Sequence, residues 1–237
     1  MKKAFTLAEV LIVIGVIGIV AAMTIPSLIN YYKVKELEVR FKKADALITQ
    51  AFLKTANEYG YDSISSFNIP GRTVTDENYA ELKRQVEGLN EIWLKQFTSV
   101  DPLDYSRYKD KKCKHLSGEG TRFCFFDSAY GTPYVLPNGM LISALTANYG
   151  GTNHPGIIRM FFDTNGPEHG PNRWGYDLFL YSSNFAYNNL CDPSSKNTYA
   201  GLDCYYFAHN NINPTGNNKP YWDMLFKPLT YWQKSDK

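Results

Sequence analysis

The side chains here that can do more than pack are four cysteines, four histidines and a few acids. Cys113, Cys124, Cys191 and Cys204 fall into two sequence-local pairs, all after the helical first part of the chain. An even number of cysteines in a chain that enters or crosses a membrane points to disulfides made in an oxidising compartment. Four cysteines permit three connectivities, of which Cys113 with Cys124 and Cys191 with Cys204 is favoured. Zinc is the rival use, since His115 and His209 lie near cysteines, but neither pair has the close Cys-x-x-Cys spacing of a structural zinc module. Free buried thiols are the third alternative. In "DTNGPEHGPNRWGYD" the oxygens of Asp163, Asn165, Glu168 and Asp177 are of the kind that calcium takes. The stretch opens as a fragment of an EF-hand pattern, but Gly166 comes too early and no Glu closes the loop. An Asn-Gly turn and a Gly-Pro-rich loop in which Asp163 caps backbone amides accounts for the same residues without a metal, and is favoured. No cofactor is therefore expected; calcium is possible at this loop but is not the preferred reading. His115, His154, His169 and His209 read as loop histidines among Gly and Asn, and the chain has no G-x-S-x-G, HExxH or P-loop. No catalytic set stands out, and an enzyme is not expected.

One more acid is out of place. In "MKKAFTLAEVLIVIGVIGIVAAMTIPSL", Glu9 precedes an apolar run that carries no further charge until Lys33. A carboxylate near the middle of a membrane costs on the order of 3 kcal/mol, so it is rarely kept without a partner.

The elements that must position these residues begin with that run. Val10 to Ile25 is free of charge, and with its flanks reaches the roughly 20 positions that cross a hydrocarbon core. A secretory signal peptide is the second candidate, given Lys2 and Lys3, but no convincing small-x-small cut follows. Beyond Pro26, Leu37, Phe41, Ala44, Leu47, Ile48, Ala51 and Phe52 recur at three- and four-residue spacing with charges on most other faces, which predicts one helix carried on from the apolar segment. Gly60 should end it. A helix from Phe5 to Tyr59 would be roughly 80 Å long, half in a bilayer and half against a globular body, with Pro26 kinking or loosening the rod between.

The run "AFTLAEVLIVIGVIGIVAAMTIP" resembles the N-terminus of type IV prepilins and of the pseudopilins of type II secretion systems. That family joins a short basic leader, a peptidase cut before a Phe, a Glu shortly after it and a Pro near the end of the apolar run. Here these are Lys2 and Lys3, Ala4 with Phe5 astride the cut, Glu9, and Pro26. One departure is Ala4, where the family usually has Gly; a small side chain is kept. The resemblance implies that residues 1–4 are a leader removed by prepilin peptidase, that the new amine of Phe5 is N-methylated by the same enzyme, and that 5–29 is a transmembrane and assembly segment. It also implies that Glu9 meets the Phe5 amine of an adjoining pilin or pseudopilin subunit, setting the axial stagger. Bacterial inner-membrane residence follows, single-pass with the head extracytoplasmic. Membrane lipid surrounds the helix before an assembly platform moves the subunit into a pilus or pseudopilus.

Residues 30–60 continue the helix in amphipathic form, and 61–237 make the head. Within it, Thr75 to Phe97 reads as a second helix with Leu82, Val86, Leu89, Trp93 and Phe97 on one stripe. The period then changes to two: "TRFCFFDSAYGTPYVLPNGMLISALTA" reads as three strands with turns at Gly131 with Pro133 and at Asn138 with Gly139. "IIRMFFDT" and "YDLFLYS" make a further pair. Four or five antiparallel strands across the outer half of a long helix give an α+β fold, which the resemblance makes pilin-like. The tail from Asn184 reads as loop-rich, with Trp222, Phe226, Tyr231 and Trp232 either anchoring it or forming an exposed patch for carbohydrate or a partner. A composition of 44% hydrophobic and 20% charged residues can build a core. The basic residues are spread rather than gathered in a stripe, so no nucleic-acid partner is indicated. A singly anchored extracytoplasmic binding or adhesion module is the alternative function.

Overall fold

The computed structural model describes residues 6–60, 76–108, 110–118, 121–124, 132–148, 157–182, 190–195, 200–216 and 218–232. The first helix, α1, is Leu7–Tyr59, unbroken over 53 residues, which at about 1.5 Å per residue makes a rod of about 80 Å. It runs through Pro26, whose ring nitrogen has no hydrogen to give the Ala22 carbonyl one turn back. Gly60 ends it as expected: its φ of 86° is open to glycine at little cost, and its N–H donates to the carbonyls of Ala56 and Asn57. The two halves of α1 differ completely. Large apolar side chains from Leu7 to Ile29 lie exposed, whereas Val34, Leu37, Phe41, Ala44, Ile48, Ala51, Phe52 and Ala56 are buried in the head.

A second helix, α2, is Asp76–Lys95. The strands follow: β1 (Asp101–Pro102), β2 (Lys112–Lys114), β3 (Thr121–Phe123), β4 (Pro133–Val135), β5 (Leu141–Ser143), β6 (Thr146–Asn148), β7 (Ile157–Asp163) and β8 (Leu178–Ser182). The main sheet is antiparallel, with neighbours β1, β4, β5, β7 and β8 in that order, and β6 continues β5 along the same edge of β7. The Asn138–Gly139 turn joins β4 to β5, as expected. "TRF" behaves differently from its expected place: as β3 it pairs with β2 in a separate two-stranded ribbon.

Between the pairs Ile142↔Phe162 and Thr146↔Arg159 the β5–β6 edge holds one residue more than β7 does, so a bulge lies at Ala144 and Leu145. Side chains fill the gap in the ladder. Phe161 N–H donates to Ser143 Oγ at 2.9 Å, and Asn90 of α2 takes both backbone groups of Leu145, accepting from its N–H at 2.6 Å and donating to its carbonyl at 2.8 Å. A carboxamide acting as a strand partner thereby fixes α2 to the sheet.

The strands β7 and β8 read as almost continuous apolar runs because both faces of the sheet are covered. On one face, Ile142, Ile158, Met160, Phe162 and Phe179 meet α1 and α2. Phe41 is the centre of that core, its ring 4.6 Å from Phe179 and 5.2 Å from Trp222, and Phe52 packs on Trp93 at 4.4 Å. On the other face, Leu141, Phe161, Leu178 and Leu180 pack with Trp174, Leu202 and the Cys113–Cys124 pair.

The C-terminal region is less irregular than its sequence suggests. It contains three short helices, α3 (Tyr205–Asn210), α4 (Tyr221–Met224) and α5 (Leu229–Trp232). Tyr221, Trp222 and Trp232 are buried and Tyr231 is exposed, so the aromatic tail mainly anchors the end of the chain.

Candidate functional site

Ala4 and Phe5 lie outside the described residues, so the site begins at Thr6. Thr6 caps α1 reciprocally with Glu9. Its Oγ1 accepts from the Glu9 N–H at 3.3 Å, while Glu9 Oε2 accepts from both the N–H and the hydroxyl of Thr6 at 2.8 Å. Among the described residues of one chain Glu9 thus holds two donors, while the Phe5 amine lies outside them. The signal for this was legible, since Thr-x-x-Glu ahead of an apolar run is the sequence pattern of a capping box. Above this cap the apolar stretch of α1 is long enough to cross a membrane, and none of its most apolar window is buried against the head.

Where α1 enters the head, Glu38 is buried between Lys35 at 2.8 Å and Lys42 at 2.7 Å. Burial works to raise its carboxyl, but the two ammonium partners hold it below the usual carboxylate range.

The cysteines pair as favoured, Cys113 with Cys124 and Cys191 with Cys204, with Cα separations of 4.9 and 4.8 Å. The first staples the β2–β3 ribbon. The second closes the segment in front of α3.

Of the four oxygen-bearing residues of the candidate calcium loop, Asp163, Asn165 and Asp177 lie together and Glu168 does not join them. Asp163 Oδ1 accepts from the N–H groups of Asn165 (3.1 Å) and Gly166 (2.9 Å), the turn geometry expected without a metal. Asp177 accepts from the N–H groups of Asn172 and Arg173, each at 2.7 Å. Glu168 faces elsewhere and accepts from the Tyr108 hydroxyl at 2.5 Å. Gly166 has its own reason to be glycine: φ is 79°, and a Cβ there would sit 2.3 Å from the Gly139 carbonyl oxygen. Asp163 and Asp177 do interact. Burial, then the charge of Asp177, pushes the Asp163 carboxyl well above its ordinary value, and burial raises Asp177 to about 6. Among the described residues Asp163 Oδ2, which is buried, has no hydrogen-bond partner. Among the described residues no three His, Cys, Asp or Glu side chains gather as a metal-binding group.

His209 lies on α3 rather than in a loop. Its Nδ1 is 2.9 Å from Asp45 Oδ2 of α1, and the Tyr205 hydroxyl donates to the other oxygen of the same carboxylate. Burial and the Asp45 charge push the phenols of Tyr205 and Tyr181 up, Tyr181 to about 12. This cluster, which sequence spacing gave no means of finding, ties the C-terminal region to the long helix across 160 residues. His169 Nδ1 lies 3.1 Å from the Asn165 carbonyl oxygen, and His154 is outside the described residues.

Comparison of the chain with protein-family models, with curated proteins and with solved structures finds no match.

Proposed function

We propose that the chain is a prepilin-like structural subunit, cut between Ala4 and Phe5 and N-methylated at Phe5 by prepilin peptidase. It assembles through α1 into a type IV pilus or type II secretion pseudopilus, and its α+β head is the pilin-like part. The observation that carries this reading is the division of α1. One half is built into the core of the head, while the other presents large apolar side chains that the protein itself leaves uncovered. Such a surface needs lipid or other helices around it, and a filament subunit released from a membrane exchanges the first for the second. The Thr6–Glu9 cap supports the reading further. Two donors from its own chain reduce the cost of holding Glu9 in the single subunit, and the negative charge is still there to meet the Phe5 amine of a neighbour.

The cap also provides the discriminating test. Glu9→Gln keeps an oxygen for the Thr6 N–H but removes the charge, whereas Glu9→Ala removes both. If the charge sets the stagger, both variants reach mature size yet fail to co-purify with other pilin-like subunits. Normal incorporation of Glu9→Gln would reduce Glu9 to a helix cap. The mature N-terminus, read by mass spectrometry with and without prepilin peptidase, should be methylated Phe5 only when the peptidase is present. An unchanged N-terminus without it would leave the chain an anchored binding module.

A further inference from the structure

A groove of about 470 Å³ lies between α1 and the C-terminal segment, at the level where the uncovered apolar run stops. Ser27, Asn30, Tyr31 and Val34 form its helix wall, and residues 219–220 and 223–227 with Tyr231 form the other. Leu7 to Ile29 spans about 35 Å along the helix, enough to cross a hydrocarbon core of about 30 Å, so this wall begins where acyl chains give way to headgroups.

The lining suits that depth. Lys219 and Lys227 both approach the ring of Tyr231, their ammonium nitrogens 3.9 and 5.4 Å from its centroid, so two cations converge at one edge of the groove. Tyr31 and Tyr231 are exposed and amphipathic, as aromatic side chains at a membrane interface are. The floor is apolar, with Val34, Met224 and Leu225, and the neighbouring Leu229 is exposed on α5. Among the described lining residues Asp223 is the one carboxylate, and its charge also acts on Lys35 of α1. Among the described lining residues two lysines thus stand beside one aspartate, a basic rim whose charge a phosphodiester complements.

We propose that this groove holds the headgroup of an anionic glycerophospholipid from the leaflet on the side of the head, its phosphodiester between Lys219 and Lys227 and its acyl chains along the uncovered face of α1. The inference rests on α1 lying in a bilayer. The bound lipid gives the head a fixed seat on the membrane before assembly.

Full-length protein, first checked by flotation with vesicles, is examined by native mass spectrometry from detergent with added phosphatidylglycerol, phosphatidylcholine or glycerol 3-phosphate. The expected result is one phosphatidylglycerol retained by the unaltered chain and by the Lys54→Gln/Lys95→Gln control. Retention should be at least tenfold weaker in Lys219→Gln/Lys227→Gln of unchanged melting temperature. Equal retention by the two double variants overturns the proposal. So does equal retention of phosphatidylcholine, which would mean lipid around the helix in general, or displacement by glycerol 3-phosphate alone, which would mean a free-anion site. Failure to float with vesicles is a separate result, and removes the membrane reading itself.

Discussion

Asp163 and Asp177 are two carboxyl groups held almost wholly out of water. Their folded carboxyls bind protons more tightly than the unfolded chain does, since Asp177 moves from 3.8 to about 6 and Asp163 also rises. The stability they confer is therefore full below about pH 4 and is lost as pH rises through about 6 and beyond. The melting temperature of the protein in detergent with EDTA should fall over that interval. Asp163→Asn keeps an oxygen for the amides of Asn165 and Gly166 and replaces the unpartnered oxygen with a neutral group. It should flatten the slope and raise the melting temperature at pH 7 by a few degrees. A lower melting temperature for this variant, or one that calcium restores in the unaltered protein, would mean that a cation normally occupies the pair. At this scale the sequence was legible where a residue's neighbours in the chain decide its role. Asp163 capping its own turn and Gly60 ending α1 are of that kind. Glu168 on Tyr108 and His209 on Asp45 are not, because each partner arrives from far along the chain.

Among the elements, α3 is one that depends on covalent help. It has six residues, too few for a stable helix alone, and is held by the Cys191–Cys204 bond, by Asp45 of α1 and by Trp222 Nε1, which donates to the Ala208 carbonyl at 3.2 Å. Cys191→Ser/Cys204→Ser should cost about 2–4 kcal/mol in chemical denaturation. Hydrogen exchange should quicken in α3 and α4 while α2, fixed through Asn90, stays protected; uniform quickening would mean that the bond supports the whole head instead. Long periodic segments such as α1 and α2 were readable, and so were the strands around the Asn-Gly turn. Helices of four to six residues carry no period of their own, so α3, α4 and α5 were hidden in what looked like loop. The separate β2–β3 ribbon was hidden for another reason: a strand's pattern states that it pairs, not with which partner.

For the molecule as a whole, the head has cores on both faces of its sheet, and neither includes a side chain before Val34. Removing residues 1–32 should therefore leave a soluble, folded head whose melting temperature stays within a few degrees of that of the full chain in detergent. Aggregation or loss of the cooperative transition would mean that the apolar half of α1 is part of the fold. The unbroken course of α1 from Leu7 into the core at Phe41 and Phe52 has a mechanical consequence. With no linker between rod and head, a pull along the rod is carried directly into the packed rings, and a tilt of the rod turns the head with it. Along that line of tension the turn around Pro26 is short of one hydrogen bond, so it yields more readily than a fully bonded turn.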